Sequence, residues 1–243
     1  MAVIHHTTLK PTKLELLTSW LPHRPWYVGG AGRTPELEKA GGFRLDDPEG
    51  EVGIEFMVVT DTSGDRPVSY HVPLTYRAAP IDGATDAEHG LVGTTEHGVL
   101  GLRYVYDGTH DPVFVAQLLA LLQGHAEPQA QSDTDTPDPT VVPSFSRHAA
   151  TGVTEPVTAT GPSPVTDGPQ GTDVLVRPAA ESGRAADAPS APLVLRVARV
   201  LRAAEPSSGT APDERTLGHV TAGWRLPDGE ERRGHFVVVA EGS

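Results

Sequence analysis

The sequence lacks cysteine and contains few lysines and few aromatic residues. With no cysteine among its 243 residues, disulfide bonds, thiolate metal sites and a cysteine nucleophile are excluded. The formal net charge is −13, whereas nucleic acids and anionic membrane surfaces are bound by clustered positive charge. We therefore expect no nucleic-acid partner and no membrane partner.

Long apolar stretches are also missing. No run approaches the ~20 apolar residues that a membrane-spanning helix requires, and the first residues lack the basic start and apolar core of a signal peptide. These features predict a cytoplasmic location. The 26 glycines and 23 prolines are typical of a chain that combines a folded part with a long disordered segment.

The first 125 residues carry the strongest secondary-structure signals. Thr12–Glu15 has the pattern of a capping box, which predicts a helix from about Pro11 to Trp20. Alternating apolar residues over 52–76, interrupted by a turn, predict an antiparallel hairpin. Asp111-Pro112 is a typical N-cap and first helical residue, and it precedes a second amphipathic helix over 113–123.

The composition changes at residue 126. Nearly half of the prolines lie between residues 126 and 191, and apart from Val174–Val176 the apolar residues there are isolated or paired. This pattern predicts a disordered linker. Apolar alternation returns over 192–243, with a hairpin signal at Pro227–Gly229, and we expect these strands to complete the N-terminal sheet.

The residues that phosphoryl transfer requires are missing from the sequence. The chain has three lysines, Lys10, Lys13 and Lys39, so beyond residue 39 none can neutralise ATP phosphates from a strand. The glycine-rich stretch Gly29–Arg33 lacks the lysine and hydroxyl of a phosphate-binding loop. We expect no metal site, since the adjacent pair His5-His6 supplies too few ligands, and no cofactor.

Two blocks of the sequence resemble the N-terminal cap domain of bacterial maltokinases. The first is Trp20–Arg33, in which a Leu-Pro break is followed by an Arg-Pro-Trp-Tyr run and a glycine-rich turn that ends in arginine. The second is Gly93–Asp107, which leads into the Asp111-Pro112 helix. The resemblance covers residues 1–125 and, with weaker support, the final strands. Ala31 stands where the family tends to have lysine.

The resemblance implies an α+β fold, in which a curved antiparallel β-sheet is packed with two amphipathic helices and, in this chain, interrupted by a long disordered linker. We therefore expect a cap-like domain over 1–125, the linker over 126–191, and strands of the same sheet over 192–243. In full-length members the cap precedes a kinase that makes maltose 1-phosphate, and the two kinase lobes have no counterpart in this sequence.

Seven residues of the two blocks are candidates for a sugar or partner contact surface, and they have two interpretations. The aromatic residues can be core residues, with the charged ones satisfying turns and strand ends. Alternatively, aromatic faces and charged groups together form a shallow contact surface. The candidates are Trp26, Tyr27, Arg33, Glu96, His97, Arg103 and Tyr106.

Three functional hypotheses follow from this sequence. The first is a non-catalytic interaction or regulatory module of maltose, trehalose and α-glucan metabolism that binds a kinase or an α-glucan enzyme. The second is a protein that binds or senses maltose-type sugars. The third is an enzyme whose site has no recognisable motif; a kinase or branching activity is implied by family membership only.

Overall fold

The computed structural model describes nine stretches of the chain: residues 9–30, 32–81, 90–131, 136–146, 157–159, 163–169, 171–178, 191–203 and 216–242. Two α-helices lie in these stretches, α1 (Lys13–Trp20) and α2 (Pro112–Leu122). Single 3-10 turns follow α1 at Leu21–His23 and precede α2 at Gly108–His110. Among the described residues no helix is both long enough and apolar enough to cross a membrane.

Strands dominate the fold, which is a sheet-rich α+β arrangement. Those before α2 are β1 (Leu9–Lys10), β2 (Leu37–Leu45), β3 (Gly53–Asp61), β4 (Val68–Arg77), β5 (Leu91–His97) and β6 (Gly101–Asp107). Those after α2 are β7 (Gln129–Ala130), β8 (Val142–Phe145), β9 (Val165–Gly168), β10 (Gly171–Val176), β11 (Leu193–Ala198), β12 (Thr216–Arg225) and β13 (Glu231–Glu241).

All thirteen strands belong to one hydrogen-bonded sheet with antiparallel pairing. The order is β1-β5-β6-β4-β3-β2-β12-β13-β11-β10-β9, with β7 on β2 and β8 on β12. The N-terminal and C-terminal strands therefore share one sheet, joined where Trp224 of β12 pairs with Gly41 of β2. Beyond β11 the chain returns to β4, because His71 donates its backbone N–H to the carbonyl of Arg199.

The two helices begin as the sequence predicts. The Thr12 hydroxyl accepts from the backbone N–H of Glu15, whose carboxylate accepts from Thr12 in return, completing the capping box. The Asp111 carboxylate accepts from the N–H of Val113, with proline at the first helical position. Both termini thus satisfy backbone donors that would otherwise have no partner.

Two hydrophobic cores lie on opposite faces of β3 and β4, because side chains alternate along each strand. The first packs the C-terminal strands and α2 against one face, around Phe43, Phe56, Phe114 and Phe236. The second packs α1 and the segment that follows it against the other face, around Leu17, Trp20, Trp26, Met57 and Tyr70.

The predicted linker over 126–191 contains four of these strands, so the prediction of a continuous disordered segment is wrong for those residues. In β10 the side chains of Thr172, Val174 and Val176 are buried against the first core. The alternation of buried and half-buried residues in β10 spans six residues only and lies inside a proline-rich region. An assignment based on composition therefore misses it. Within this range residues 132–135, 147–156, 160–162, 170 and 179–190 lie outside the described stretches. The boundaries of the three predicted segments stay predictions.

Candidate interaction surface

Trp26 lies at the centre of the second core. Its side chain is fully buried and packs at ring-centroid distances of 5.8 Å from Trp20 and 6.1 Å from Tyr70. The guanidinium of Arg199 lies 5.0 Å from the Trp26 ring centroid, in cation–π contact. Because both sides of the ring are occupied by protein, Trp26 offers no face on which a sugar could stack.

Tyr27 is half-buried and fixed at both ends. Its ring stacks on Tyr70 at 5.5 Å, and its hydroxyl donates to the Asp61 carboxylate at 2.8 Å. Burial and this hydrogen bond raise the pKa of Tyr27. Although burial raises the pKa of Asp61, hydrogen bonds from Ser63, Tyr27 and Glu36 lower it overall. Tyr27 therefore anchors the glycine-rich turn to the end of β3.

Arg33 is exposed at the end of that turn. Its guanidinium donates to the backbone carbonyl of Ser63 at 3.0 Å, in the β3–β4 connection. Gly32 adopts a φ of 79°, a left-handed conformation that favours glycine. The turn is thus held to the sheet by arginine and tyrosine side chains; Ala31 lies outside the described residues.

Tyr106 is also a core residue. Only 3% of its surface is exposed, and its hydroxyl accepts from the backbone N–H of Ile81 at 3.3 Å. The phenol thereby holds the chain that leaves β4. The burial of Tyr106 and of Trp26 agrees with the interpretation in which the aromatic residues of the two sequence blocks are core residues.

The three remaining candidates lie on the β5–β6 hairpin. His97 is half-buried, and its Nδ1 accepts from the backbone N–H groups of Val99 and Leu100 at 3.3 and 3.1 Å. Glu96 is exposed. Arg103 is half-exposed and donates to the carbonyl of Leu102 at 3.2 Å. Glu96, His97 and Arg103 thus share one hairpin, with Glu96 and Arg103 on its opposite faces. Trp26, Tyr27 and Arg33 belong to the segment between α1 and β2.

The tip of this hairpin presents apolar side chains to solvent. Val99 is 60% exposed, Leu100 44% and Leu102 42%. These three residues, which we call the hairpin tip, are consecutive apart from Gly101, whose φ of 70° permits the tight turn. Leu91, 38% exposed, lies at the opposite end of β5. Isolated exposed apolar side chains are normal, but a cluster at one turn is typical of a contact surface.

The hairpin is supported from behind by the N-terminal segment. β1 pairs with the last residues of β5, with Leu9 opposite His97. The Thr95 hydroxyl donates to the carbonyl of Pro11 at 2.7 Å. At Gly93 the absence of a side chain leaves space for Leu16, since a Cβ there would lie 2.7 Å from Leu16. The β5–β6 hairpin, which carries the tip, is thereby attached to β1 and α1.

Three ion pairs with a buried carboxylate were not predicted from the sequence, and one of them joins Asp111 to Arg77 at 2.7 Å. Glu55, on β3, accepts from Lys13, from the Tyr76 hydroxyl at 2.6 Å and from the Gln131 amide at 3.0 Å. Burial raises the pKa of Glu55, but the charge and hydrogen bond of Lys13 and the hydrogen bond from Tyr76 lower it overall. The third pair joins Asp107 to Arg199. Arg196, Arg199 and Arg202 are spaced by three residues in the sequence, and this spacing alone does not indicate that Arg199 is buried.

The described part of the chain contains no group of three or more histidine, aspartate or glutamate side chains placed to hold a metal ion. The buried carboxylates of Glu55, Asp107 and Asp111 are paired with internal cations. The best-placed surface for contact with another molecule is therefore the hairpin tip.

Comparison with known families agrees with the two sequence blocks. Residues 20–111 match the family model of the maltokinase N-terminal cap domain. This match confirms the resemblance that the motifs predict, and we call residues 20–111 the cap segment. It runs from the end of α1 to the N-cap of α2, so it contains all seven candidate residues and the whole hairpin tip. No curated protein matches the chain.

Proposed function

We propose that the protein is a non-catalytic, cap-like interaction module of maltose, trehalose and α-glucan metabolism that binds a kinase or an α-glucan enzyme through the hairpin tip. The match of the cap segment to a domain that belongs to maltokinases carries this proposal. The family is named for the N-terminal cap domain of maltokinase, so association with a kinase is the first function that we infer from it.

The distribution of exposed apolar residues supports the hairpin tip as the contact surface. Among the described residues, six large apolar side chains are exposed, and five of them lie within the cap segment: Val28, Leu91, Val99, Leu100 and Leu102. The sixth is Val142, on β8. A partner that covers the tip would remove apolar area from water, which contributes ~25 cal/mol per Å².

The charges beside the hairpin tip fit a polar rim around an apolar centre. Glu96 pairs with Leu102 across the hairpin, and Arg103 pairs with Thr95. Because side chains alternate along each strand, the carboxylate shares a face with Leu102 and the guanidinium lies on the other face of the hairpin. Each face of the hairpin therefore carries one charged group beside the tip, as the polar rim of a protein interface does. Both charged side chains are accessible for ion pairs at the edge of a contact.

The second candidate function, binding of maltose-type sugars, has less support from the geometry. Sugar sites commonly use an exposed aromatic face, and Trp26 and Tyr106 are buried. Tyr27 is half-buried and already stacked on Tyr70. One observation favours sugar binding. Tyr27 has polar neighbours, since Asp61 accepts from its hydroxyl and Arg33 lies at the end of the same glycine-rich turn.

Binding measurements on pure proteins distinguish the two functions. The chain is titrated by calorimetry with a maltokinase from which its own cap has been removed, and separately with maltose, trehalose and glycogen. We expect a saturable complex with the kinase and no heat with the sugars. Binding of a sugar that Tyr27→Ala abolishes would instead favour the second function, and turnover of ATP by the chain alone would contradict both.

A further inference from the structure

We propose that His219 and His235 form a two-imidazole site for a divalent transition metal ion, of which Cu²⁺ and Ni²⁺ are the best-suited examples. The two residues lie on neighbouring antiparallel strands, β12 and β13, outside the cap segment. The site is independent of the proposed partner contact, since the hairpin tip belongs to β5 and β6.

Both imidazoles are on the outer face of the sheet. The buried residues of β12 alternate along the strand: Gly218, Val220, Ala222 and Trp224. His219 and Thr221 therefore point away from the first core. In β13 His235 is exposed between the buried residues Gly234 and Phe236. A register shift between Val220 and Thr221 places Thr221 opposite His235, which brings His219 alongside His235.

The separation of the rings matches two ligands of one ion. Their centroids are 4.6 Å apart with an interplanar angle of 62°. A metal ion ~2.0–2.1 Å from one nitrogen of each ring lies about 3 Å from each centroid, so two rings bound at a right angle have centroids roughly 4.5 Å apart. Imidazole nitrogens with water in the remaining positions are ligands that suit Cu²⁺ and Ni²⁺.

Thr221 orients one of the two ligands. Its hydroxyl lies 3.1 Å from Nδ1 of His235. When Nδ1 carries the proton and donates to this oxygen, Nε2 keeps its lone pair for a metal ion. A hydrogen bond to the second ring nitrogen is the usual way in which proteins fix a metal-binding histidine. Within the described chain, no hydrogen bond occupies a ring nitrogen of His219.

A histidine binds a metal ion in its neutral form, so the titration is done above the usual imidazole pKa of ~6.5. Arg233 lies two residues before His235 and faces Gly223 across the hairpin. The described residues provide no third histidine or carboxylate for this pair, so water would fill the remaining positions.

Isothermal titration with Cu²⁺ and with Ni²⁺ at pH 7.4 tests the site. All proteins carry His5→Ala and His6→Ala, which removes the other adjacent histidine pair. We expect one bound ion per chain, loss of binding by at least 10-fold in His219→Ala and in His235→Ala, and a smaller loss in Thr221→Val. The control His125→Ala removes an exposed histidine outside the pair and is expected to bind like the parent.

Two outcomes would overturn the proposal. One is the absence of a saturable ion in the parent protein. The other is binding that persists in both His219→Ala and His235→Ala, which would assign the ion to other residues. Circular dichroism of each variant shows whether it is folded; if an alanine variant is not, His219→Gln and His235→Gln replace it, because glutamine is a poor ligand of similar size.

Discussion

The Arg199 guanidinium lies 2.5 Å from the Asp107 carboxylate, and both side chains are closed to solvent. Arg199 follows β11, whereas Asp107 ends β6 in the cap segment. The same guanidinium donates to the hydroxyl of Thr172 in β10 at 2.7 Å. One arginine therefore connects the cap segment, the region predicted as a linker and the C-terminal strands.

Breaking this ion pair is expected to be strongly destabilising. Arg199→Met leaves the Asp107 carboxylate buried without its cation, and loss of one partner of a buried pair costs about 3–5 kcal/mol. Urea denaturation measures the free energy of unfolding. Arg196→Met is the matched control, because its pair with Asp173 is largely exposed and should contribute less than ~1 kcal/mol. Equal losses in the two variants would contradict the assigned role of Arg199.

Residues 171–176 are expected to behave as part of the folded core. Val174→Ala and Val176→Ala each remove buried methyl groups, at a cost of roughly 1–2 kcal/mol for each valine. Val142→Ala is the control, since that side chain is 47% exposed. If the two buried positions tolerated alanine as well as Val142 does, residues 171–176 would be a linker after all.

The buried His71 is expected to make the protein less stable in mild acid. Burial, and then the positive charge of Arg199, lower the pKa of His71 to about 3, compared with ~6.5 for a histidine in an unfolded chain. Between pH ~3 and pH ~6.5, His71 therefore takes up a proton when the protein unfolds. Stability is retained above pH ~6.5 and falls as the pH decreases towards ~3, by up to ~1.4 kcal/mol per pH unit.

The pH dependence is measured by urea denaturation between pH 7.5 and 5, above the range in which Glu55 and Asp61 titrate. His71→Gln keeps a hydrogen-bond donor for the Ala198 carbonyl and does not titrate. The variant is expected to be less stable at pH 7.5 but to have a flatter profile. His125→Gln serves as the control. A profile of the same slope in His71→Gln would assign the acid sensitivity to other groups.

Trp224→Ala tests whether the two halves of the sheet unfold together. Trp224 is buried beside Phe236 and its backbone pairs with Gly41 of β2. Loss of a buried tryptophan costs about 3–5 kcal/mol. We expect the variant to unfold in one cooperative transition with a lower midpoint temperature than the parent protein. Differential scanning calorimetry measures this transition. A separate early transition, with the remainder unchanged, would mean that residues 192–243 form a unit of their own.

Local signals predict much of this fold, because they depend on neighbours in the sequence. The capping box at Thr12 and the Asp111-Pro112 helix start are set by side chains within three residues. The hairpin of β3 and β4 follows from alternation around a turn. In contrast, β10 is stabilised by partners far along the chain, such as Val197 opposite Thr172, which composition cannot reveal.

For the candidate residues, too, some properties follow from the local sequence and others depend on residues that are distant in the chain. The sequence indicates which residues carry the family resemblance, and the match of the cap segment confirms that resemblance. Whether Trp26 faces a ligand or the core depends on Tyr70 and Arg199, which are distant in sequence. The exposure of the hairpin tip was not predicted from the sequence, although it depends on residues that are close together in the chain. Val99 and Leu100 are exposed because they lie in the turn that the imidazole of His97 holds.

Docking through the hairpin tip is tested most directly by titrating variants with a purified maltokinase that lacks its own cap. Leu100→Asp and Leu102→Asp place charges in the apolar contact and should weaken the complex at least 10-fold. Val142→Asp, on a distant exposed valine, should leave the affinity unchanged. A complex that tolerates both hairpin variants, or no complex with the parent protein, would contradict the proposed function.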